Sequence, residues 1–435
     1  MAETSTNNTS RKTLLILCTT TGYQTRAFVE AAEKLGVEVV FGSDRCKRLD
    51  DPWQDGAIAV RFEDPEGAAR LIIERGHTSR IDGIVSLGDR PTPSAARACQ
   101  TLKLLHHTPE AADICRDKYL SRETLREAGL NVPAFMRYVI GSNPNEVLIS
   151  GEAAIPFPCV LKPLALSGSR GVIRANNPLE FSAASQRIRA LLASRDVRVM
   201  REDTSHFIQV ESYVEGVEIA VEGLVDRGRL QVLAIFDKPD PLTGPFFEET
   251  IYVTPSRLPA KTQVAVNETL ARAVRALGLY HGPLHAELRL NSRGVSVMEV
   301  AARSIGGLCS RALRFHSPGE ANLISLEELL IRLALGEPIQ DVRREEQAAG
   351  VMMIPIPEAG IFEHVEGVDL ALQTPGVEDI RITAKPNQRL VPLPEGASYL
   401  GFIFARGASP EFVENALRQA HGKLHFVVQP ALQVI

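Results

Sequence analysis

The first hundred residues alternate between apolar, β-rich runs and stretches with helical periodicity. The runs "KTLLILC", "VEVVFGS" and "IDGIVSLG" are interleaved with helical patterns such as "TRAFVEAAEKLG" and "PTPSAARACQTLKL". Strands separated by helices of this length indicate βαβ units and therefore a parallel sheet. We predict a Rossmann-like α/β domain over residues 11–115. The turn after the first strand, "TTTGYQT", holds one glycine where a dinucleotide fingerprint needs three, so this domain has no phosphate loop of its own.

The length of the chain requires more than this one domain. At 435 residues it exceeds the size at which one hydrophobic core stops growing, roughly 250–300 residues. A charged helical segment, "RDKYLSRETLREAGL", is followed up to about residue 337 by period-2 strands and two helices, which predicts an α+β region. After the linker "DVRREEQ", two strands and a helix predict a small α+β domain over residues 345–435. Residues 1–10 are predicted to be a disordered tail.

Composition excludes several classes of function. A net charge of -5 leaves no basic surplus to neutralise nucleic-acid phosphates. No apolar run approaches the ~18 residues that a membrane span requires, and the first ten residues lack the layout of a signal peptide. We therefore expect a cytoplasmic protein that binds neither nucleic acid nor membrane. The six cysteines have no CxxC spacing, and we expect reduced, buried thiols.

Lys162 lies within an apolar strand that opens into a loop with few side chains, "PCVLKPLALSGSRGV". A lysine on the inner face of a strand requires an anion or water beside it. Glycine in the following "SGSRG" lets backbone N–H groups approach oxygens that a Cβ would keep away. The combination suits a phosphate chain. The alternative is a flexible hairpin between "CVLKP" and "GVIRA".

Two acids in "QVESYVEGVEIAVEG" are candidates for nucleoside binding. Glu211 ends a predicted strand, and Glu218 follows it beyond a turn at Glu215 and Gly216. An adenine ring is recognised by a strand-end backbone, and a carboxylate accepts hydrogen bonds from ribose hydroxyls. For either acid alone, a solvated surface position is the alternative.

Two further acids are predicted to face each other across a hairpin in "PLHAELRLNSRGVSVMEVAAR". Period-2 alternation and a turn near Arg293 place Glu287 opposite Glu299. Directly opposed carboxylates repel one another unless a cation lies between them. Mg²⁺ takes one or two protein carboxylates and completes its shell with phosphates and water. The alternative is a surface pair held apart by the register.

Taken in order, these residues resemble the nucleotide site of the ATP-grasp superfamily. The resemblance covers nearly the whole chain and implies a central ATP-grasp domain over residues 116–337, with a lid-containing subdomain (116–204) and a metal and substrate subdomain (205–337). It also implies the cofactor contacts. These are Lys118 and Lys162 on the ATP phosphates, a closing loop with Ser167, Gly168, Ser169 and Gly171, adenine at Glu211, Tyr213 and Val214, ribose at Glu218, and Mg²⁺ or alternatively Mn²⁺ on Glu287 and Glu299.

Within that superfamily the chain is most similar to bacterial L-amino acid ligases (dipeptide synthetases) and carnosine-synthase-like enzymes. The motifs are "RDKYLSRETLREAGLNVP", "FFEETIYVTPS" and "MEVAARSIGG". The resemblance implies an ATP-dependent carboxylate–amine ligase that joins L-amino acids through an acyl phosphate. Ala301 stands where many relatives have asparagine, which leaves open whether one or two Mg²⁺ bind tightly. Tyr252 stands where a histidine is often found, which leaves the amino-acid specificity open.

Three residues are assigned to the chemistry. Lys162 neutralises charge as the phosphoryl group moves. Glu249 matches an acid that faces the substrate amine in the resembled ligases. Arg303, on the face of Glu299, is placed to hold the substrate carboxylate or the acyl phosphate at two points. Its alternative is a structural ion pair with one of the two metal-binding acids.

Other functions stay open at this stage. One alternative keeps the ATP-grasp fold and assigns a ligase of purine or cofactor biosynthesis. Another treats the chain as an ATP-binding module without turnover. In each case the expected partners are small molecules, and the oligomeric state, a monomer or a homodimer, is open.

Overall fold

The computed structural model describes residues 11–19, 24–44, 57–144, 146–147 and 155–430. The predicted tail at residues 1–10 lies outside these ranges. Within them, no helix is long and apolar enough to cross a membrane.

The N-terminal domain alternates strands and helices as predicted: β1 (Thr13–Cys18), α1 (Thr25–Lys34), β2 (Glu38–Ser43), β3 (Ile58–Ala59), α2 (Pro65–Thr78), β4 (Gly83–Leu87) and α3 (Thr92–Leu102). The strands form a parallel sheet in the order β3-β2-β1-β4. All six residues of β1 are buried, because helices cover both faces of such a sheet. The predicted Rossmann-like fold class is confirmed.

Two helices lead into the central region, α4 (Pro109–Arg116) and α5 (Lys118–Glu127). Asp117 lies between them, and its carboxylate accepts the backbone N–H groups of Tyr119 (2.8 Å) and Leu120 (3.1 Å). A side-chain cap of this kind fixes the first turn of a helix. Asp117 thereby fixes Lys118 at the start of α5, beside the cavity described below.

The lid subdomain carries a four-stranded antiparallel sheet in the order β5-β8-β6-β7. Its elements are β5 (Phe135–Val139), β6 (Cys159–Pro163), β7 (Ile173–Ala175), α6 (Pro178–Leu192), α7 (Arg195–Val199) and β8 (Phe207–Ser212). Strands β6 and β7, from "CVLKP" and "GVIRA", form a hairpin that pairs Cys159 with Ala175 and Leu161 with Ile173, so the hairpin given as the alternative and the loop between its strands are both present. The lid sheet extends beyond the predicted subdomain boundary at residue 204, because β8 pairs with both β5 and β6.

The remaining elements begin with β9 (Val217–Asp226), β10 (Arg229–Asp237), β11 (Ile251–Thr254), α8 (Ala260–Ala276), β12 (Gly282–Asn291), β13 (Gly294–Ala301), β14 (Arg314–His316), β15 (Ile324–Ser325) and α9 (Leu326–Ala334). They continue with β16 (Arg343–Arg344), β17 (Ala348–Ile354), β18 (Gly360–Glu366), α10 (Val368–Leu372), β19 (Val377–Ile382), β20 (Arg389–Leu390), β21 (Gly401–Gly407), α11 (Pro410–His421) and β22 (His425–Gln429).

One eight-stranded sheet runs through the central and C-terminal regions, in the order β13-β12-β9-β10-β11-β17-β21-β19. The C-terminal region adds its strands to this sheet where β11 pairs with β17. The predicted third domain at residues 345–435 therefore shares its main sheet with the central region. One apolar core contains residues of all three regions, among them Leu14, Phe236 and Phe402. The three regions are therefore packed against one another.

Candidate active site

The lid sheet and the central sheet meet at a cavity of about 200 Å³. Its walls bring together residues that lie far apart in the sequence, on α5, β6, β8, β9, β12 and β13. The predicted site residues that line it are Lys118, Lys162, Ser167, Gly168, Ser169, Glu211, Tyr213, Val214, Glu218, Glu249, Glu287, Glu299 and Arg303. Gly171 was predicted to contact phosphate but is not among the lining residues, because its N–H group is turned to the carbonyl of Pro394 (2.8 Å).

The predicted phosphate loop turns through left-handed backbone between β6 and β7. Gly168 has φ 62° and Ser169 has φ 57°, a conformation that glycine adopts without strain. Among the described residues, neither N–H group has an acceptor, so both are available to a ligand. Lys118 reaches the same loop and donates from Nζ to the carbonyl of Leu166 (2.9 Å).

The C-terminal region holds the other end of this loop. Besides the bond from Gly171, Arg170 donates from Nε to the carbonyl of Glu395 (2.7 Å). The Glu395 carboxylate in turn accepts Nη2 of Arg187, on the lid helix α6, at 2.8 Å. The segment around Glu395 therefore ties the phosphate loop and the lid helix to the C-terminal region.

Lys162 forms a buried ion cluster with Glu211. The Lys162 Nζ lies 2.6 Å from Oε2 of Glu211, and Arg122 donates from Nε to Oε1 at 2.7 Å. Burial alone would raise the pKa of the Glu211 carboxyl, but the Arg122 and Lys162 cations hold it at about 2. Glu211 is thus an ionised anchor that orients Lys162 toward the cavity. Its predicted contact with adenine stays a prediction.

The strand end after Glu211 presents one unused backbone donor. The N–H groups of Ser212 and Tyr213 are bonded to the carbonyls of Ala134 (2.8 Å) and Pro158 (3.0 Å). The carbonyl of Val214 accepts Nη1 of Arg289 (2.6 Å). Within the described ranges, the Val214 N–H group has no acceptor, which leaves it free for a ring nitrogen.

Lys238 lies at the centre of an acidic cluster that the sequence analysis missed. Its Nζ is 2.9 Å from Glu218 and 3.4 Å from Glu287, and it is bonded to Glu249. A signal for it existed in the hairpin between β9 and β10. Because Asp237 pairs with Ile219, the next position, 238, falls beside Glu218.

These neighbours shift two carboxyl pKa values in opposite directions. Burial alone would raise the pKa of Glu218, but the Lys238 ammonium and the Arg289 guanidinium, 2.7 Å away, hold it at about 2. Burial raises the pKa of the Glu287 carboxyl to about 7. The nearby Glu249 and Glu218 carboxylates add to this rise, and the Lys238 ammonium opposes it. Glu287 therefore holds a proton more strongly than an exposed glutamate does, and a metal cation would compete with that proton.

The acidic cluster supplies ligands of the type that a hard cation takes, and the Lys238 ammonium already neutralises part of its charge. One oxygen from each of Glu218, Glu249 and Glu287 lies within 4.8 Å of the others, and Mg²⁺ prefers such carboxylate oxygens. The predicted pairing of Glu287 with Glu299 across β12 and β13 is confirmed. The Glu299 carboxylate lines the cavity but is outside the three-carboxylate group, so its role as a metal ligand stays a prediction.

Arg303 is paired with an acid from the N-terminal domain. Its Nε lies 2.7 Å from Oδ1 of Asp89 and its Nη2 lies 3.1 Å from Oδ2. The alternative for Arg303 was a pair with Glu287 or Glu299, and its partner is neither of them. Asp89 follows β4, at the carboxyl edge of the parallel sheet, where ligand sites of such sheets form. The N-terminal domain thereby contacts a residue of the cavity wall, while Asp89 itself lines the larger cleft described below.

A second, larger cleft of about 1570 Å³ lies between the N-terminal domain and the lid. It shares Lys118, Leu166, Ser167 and Glu299 with the first cavity. The two spaces therefore meet beside the phosphate loop.

Three segments of the chain match known protein families. Residues 29–104 match the ATP-grasp N-terminal domain, and residues 155–312 match the ATP-grasp domain. The chain therefore carries an ATP-grasp domain together with the N-terminal domain of that family. Residues 327–429 match the L-amino acid ligase C-terminal domain 2, which covers most of the region predicted to form the third domain. The resemblance to L-amino acid ligases is confirmed.

Individual ligases show the same similarity. The crystal structure of an L-amino acid ligase from Bacillus licheniformis superposes with a TM-score of 0.76 at 27% identity, covering 96% of this chain and 99% of that chain. Alanine–anticapsin ligase of Bacillus subtilis is 26% identical over 63% of this chain and 60% of its own length. Carnosine synthase 1 of Gallus gallus is 28% identical over 67% of this chain and 32% of its own length. The predicted enzyme class, an ATP-dependent ligase forming carbon–nitrogen bonds, is confirmed by these matches.

Proposed function

We propose that this protein joins two L-amino acids, using ATP to activate the carboxylate of one as an acyl phosphate and releasing ADP and phosphate. The observation that carries the proposal is the junction around Lys238. There, three carboxylates that surround the buried Lys238 ammonium line one cavity, together with a loop that has unused N–H donors and with the Arg303 guanidinium. Such a site holds a nucleotide phosphate at one end and a carboxylate at the other.

The nucleotide is assigned to the cleft between the two sheets. The unused N–H group of Val214 suits an adenine ring nitrogen, and Glu218 is assigned to the ribose hydroxyls. Lys118, Lys162 and the N–H groups of Gly168 and Ser169 are assigned to the phosphates. Loop closure over the phosphates excludes water, which would otherwise hydrolyse the acyl phosphate.

Magnesium is assigned to Glu287 and Glu299, with Glu249 and Glu218 close enough to complete the acidic wall. When bound, Mg²⁺ neutralises charge on the phosphate oxygens during phosphoryl transfer. Without a metal ion, the positive charge of the buried Lys238 holds Glu218, Glu249 and Glu287 together. Mn²⁺ suits the same oxygen ligands.

The first amino acid is a zwitterion, so its pocket needs an acid and a cation. Glu249 is assigned to the ammonium and Arg303 to the carboxylate. Asp89 uses Nε and one Nη2 hydrogen of Arg303, and the carbonyl of Ser304 accepts from Nη1 at 3.0 Å. Since a guanidinium has five N–H groups, two remain, one on each terminal nitrogen, and this fork matches a carboxylate or acyl phosphate.

The second amino acid is assigned to the large cleft between the N-terminal domain and the lid. Its amine reaches the acyl carbon where the two spaces meet, beside Ser167 and Glu299. The neutral amine attacks the carbonyl carbon and an amide bond forms, while phosphate leaves with the electron pair of the broken carbon–oxygen bond and takes up the proton that the amine nitrogen loses. A cytoplasmic location and homodimer formation stay predictions.

Phosphate release tests the proposal. The purified protein is incubated with ATP, Mg²⁺ and paired L-amino acids, and products are identified by mass. We expect dipeptides and equimolar phosphate with at least one pair. Glu299→Gln is expected to abolish turnover with an unchanged melting temperature, whereas a near-normal rate at saturating Mg²⁺ would remove Glu299 from the metal site. ATP turnover without any amide product across the full panel would refute the ligase assignment.

A further inference from the structure

The loop that follows β13, residues 302–307, lines the cavity and is held by side chains from two other parts of the fold. Arg303, Ile305, Gly306 and Gly307 all face the cavity. Two successive peptide groups of this loop are fixed by hydrogen bonds. Their orientations decide which backbone groups point at a substrate.

Glu222 fixes the first peptide group, between Ser304 and Ile305. The N–H group of Ile305 donates to both carboxylate oxygens of Glu222, at 3.2 and 3.1 Å. At the opposite end of the same peptide plane, the carbonyl of Ser304 accepts from Arg303. This peptide therefore cannot rotate without losing bonds at both ends.

Gln24 fixes the second peptide group, between Ile305 and Gly306. Gln24 precedes α1 in the N-terminal domain, and its Nε2 donates to the carbonyl of Ile305. In a trans peptide the N–H group points opposite to the carbonyl, so the N–H of Gly306 is directed away from Gln24. It has no acceptor within the described parts of the chain. The space beside Gly306 is open, since no atom of the described residues beyond its chain neighbours lies within 4 Å of the position that a Cβ would occupy.

Glu222 occupies a costly position. It is fully buried on β9, directly opposite His285 of β12, and its carboxylate lies 3.1 Å from the Nδ1 of that histidine. A buried carboxylate is tolerated only when hydrogen bonds compensate for lost water. A buried polar group of this kind can fix one local conformation without increasing the free energy of unfolding. Here the conformation they specify is that of the cavity loop.

We propose that Glu222 and Gln24 are positioning residues that aim the Gly306 N–H group at the carbonyl oxygen of the activated amino acid. This inference rests on the proposed ligase function. Negative charge develops on that oxygen when the amine attacks, and a donor placed in advance stabilises it. Neither side chain is among the residues that line the cavity, so we expect their substitution to leave ATP affinity nearly unchanged.

Substitutions at the two positioning residues test the inference. Gln24→Glu replaces the donor to Ile305 with an acceptor, and Glu222→Ala removes the acceptor of its N–H group. We expect kcat to fall about 10- to 100-fold in each, since displaced catalytic groups cost rates of this order, while KM for ATP changes less than about twofold. Glu222→Gln should recover part of the loss, because its amide oxygen still accepts from Ile305. The affinity for a phosphinate analogue of the best dipeptide should fall in parallel with kcat/KM.

Gln263→Glu is the matched control. Gln263 lies on α8 and donates from Nε2 to the carbonyl of Leu258 (2.8 Å). The substitution therefore removes the same kind of hydrogen bond at a place away from the cavity, and the kcat of this variant should equal that of the parent. A folded Gln24→Glu protein with kcat within about twofold of the parent would overturn the inference, even if Glu222→Ala failed to fold. So would a rise in the ATP KM equal to the fall in kcat. If the parent protein shows no amino-acid-dependent phosphate release, the proposed function itself is wrong. If the parent is active and the variants show no defect, only the inference about Glu222 and Gln24 is wrong.

Discussion

Arg303 and Asp89 form a two-point ion pair across 214 positions of sequence, with N–O distances of 2.7 and 3.1 Å. Although burial alone would raise the pKa of Asp89, the Arg303 guanidinium holds it below its ordinary value. Both groups therefore stay charged. The pair joins the N-terminal domain to Arg303, a residue that lines the cavity.

Asp89→Asn should weaken binding of the first amino acid. The amide cannot accept two charge-assisted bonds from Arg303, so the guanidinium loses its fixed orientation. We expect KM for that amino acid to rise about tenfold, equivalent to ~1.4 kcal/mol, with KM for ATP unchanged. Steady-state kinetics with each substrate varied in turn checks this. Asp82→Asn, which removes the ion pair with Arg80 (2.7 Å), is the control, and equal KM values in both variants would contradict the role of Asp89.

Glu249→Gln and Arg303→Met should each strongly weaken binding of the first amino acid and leave ATP affinity nearly unchanged. Each removes one of the two charges that match the zwitterion, and an unpaired buried ion costs several kcal/mol. Glu249 also binds Lys238, so that variant should show an additional fall in kcat. The measurement is KM for ATP and for the best amino acid. Collapse of ATP binding, or full activity in both variants, would place the amino-acid pocket elsewhere.

The stability of the protein at acid pH should depend on the ion cluster around Glu211. Its pKa is about 2 in the folded protein against an ordinary value of 4.5, so the ionised carboxylate contributes stability above pH 4.5 that is lost as pH falls toward 2. Glu211→Gln leaves Arg122 buried without its charge partner and should lower the melting temperature at pH 7 by roughly 5–10 °C.

The same variant should also flatten the dependence of melting temperature on pH between 5 and 3. Glu346→Gln alters an exposed acid and serves as the control, with a pH profile like that of the parent. Parallel profiles for the parent and Glu211→Gln would show that another group dominates acid unfolding.

Glu395→Gln should loosen the phosphate loop. The substitution removes the charge that binds Arg187 on the lid helix, while the carbonyl of residue 395 still accepts from Arg170. The pair is partly exposed, and exposed pairs contribute up to ~1 kcal/mol, so we expect KM for ATP to rise by about threefold to fivefold. Glu30→Gln, which breaks the surface pair with Arg26, should leave it unchanged. An equal ATP KM in both variants would show that the C-terminal segment does not restrain the loop.

Much of the site was predictable because its signals are local. Alternation along the strands and a turn near Arg293 predicted Glu287 opposite Glu299, and the structure has that pairing. The turn itself pairs Asn291 with Gly294, and a register shift between Glu287 and Leu288 is also needed to bring Glu299 into place. The glycines and serines after Lys162 likewise indicated a loop with accessible N–H groups. Local patterns of this kind depend on side-chain direction and backbone freedom, which a few neighbouring residues determine.

The sequence by itself determined the parallel N-terminal sheet and the loop after Lys162, and it identified the glutamates that line the cavity but not Lys238. Only the tertiary structure decided which of those charges meet. It paired Arg303 with Asp89, enclosed Lys238 among three glutamates, bonded Glu395 to the lid and placed Gln24 on the loop of Gly306. The physical reason is that charged and polar groups have several chemically equivalent partners along the chain, and the choice among them follows from the packing of whole sheets rather than from any local period.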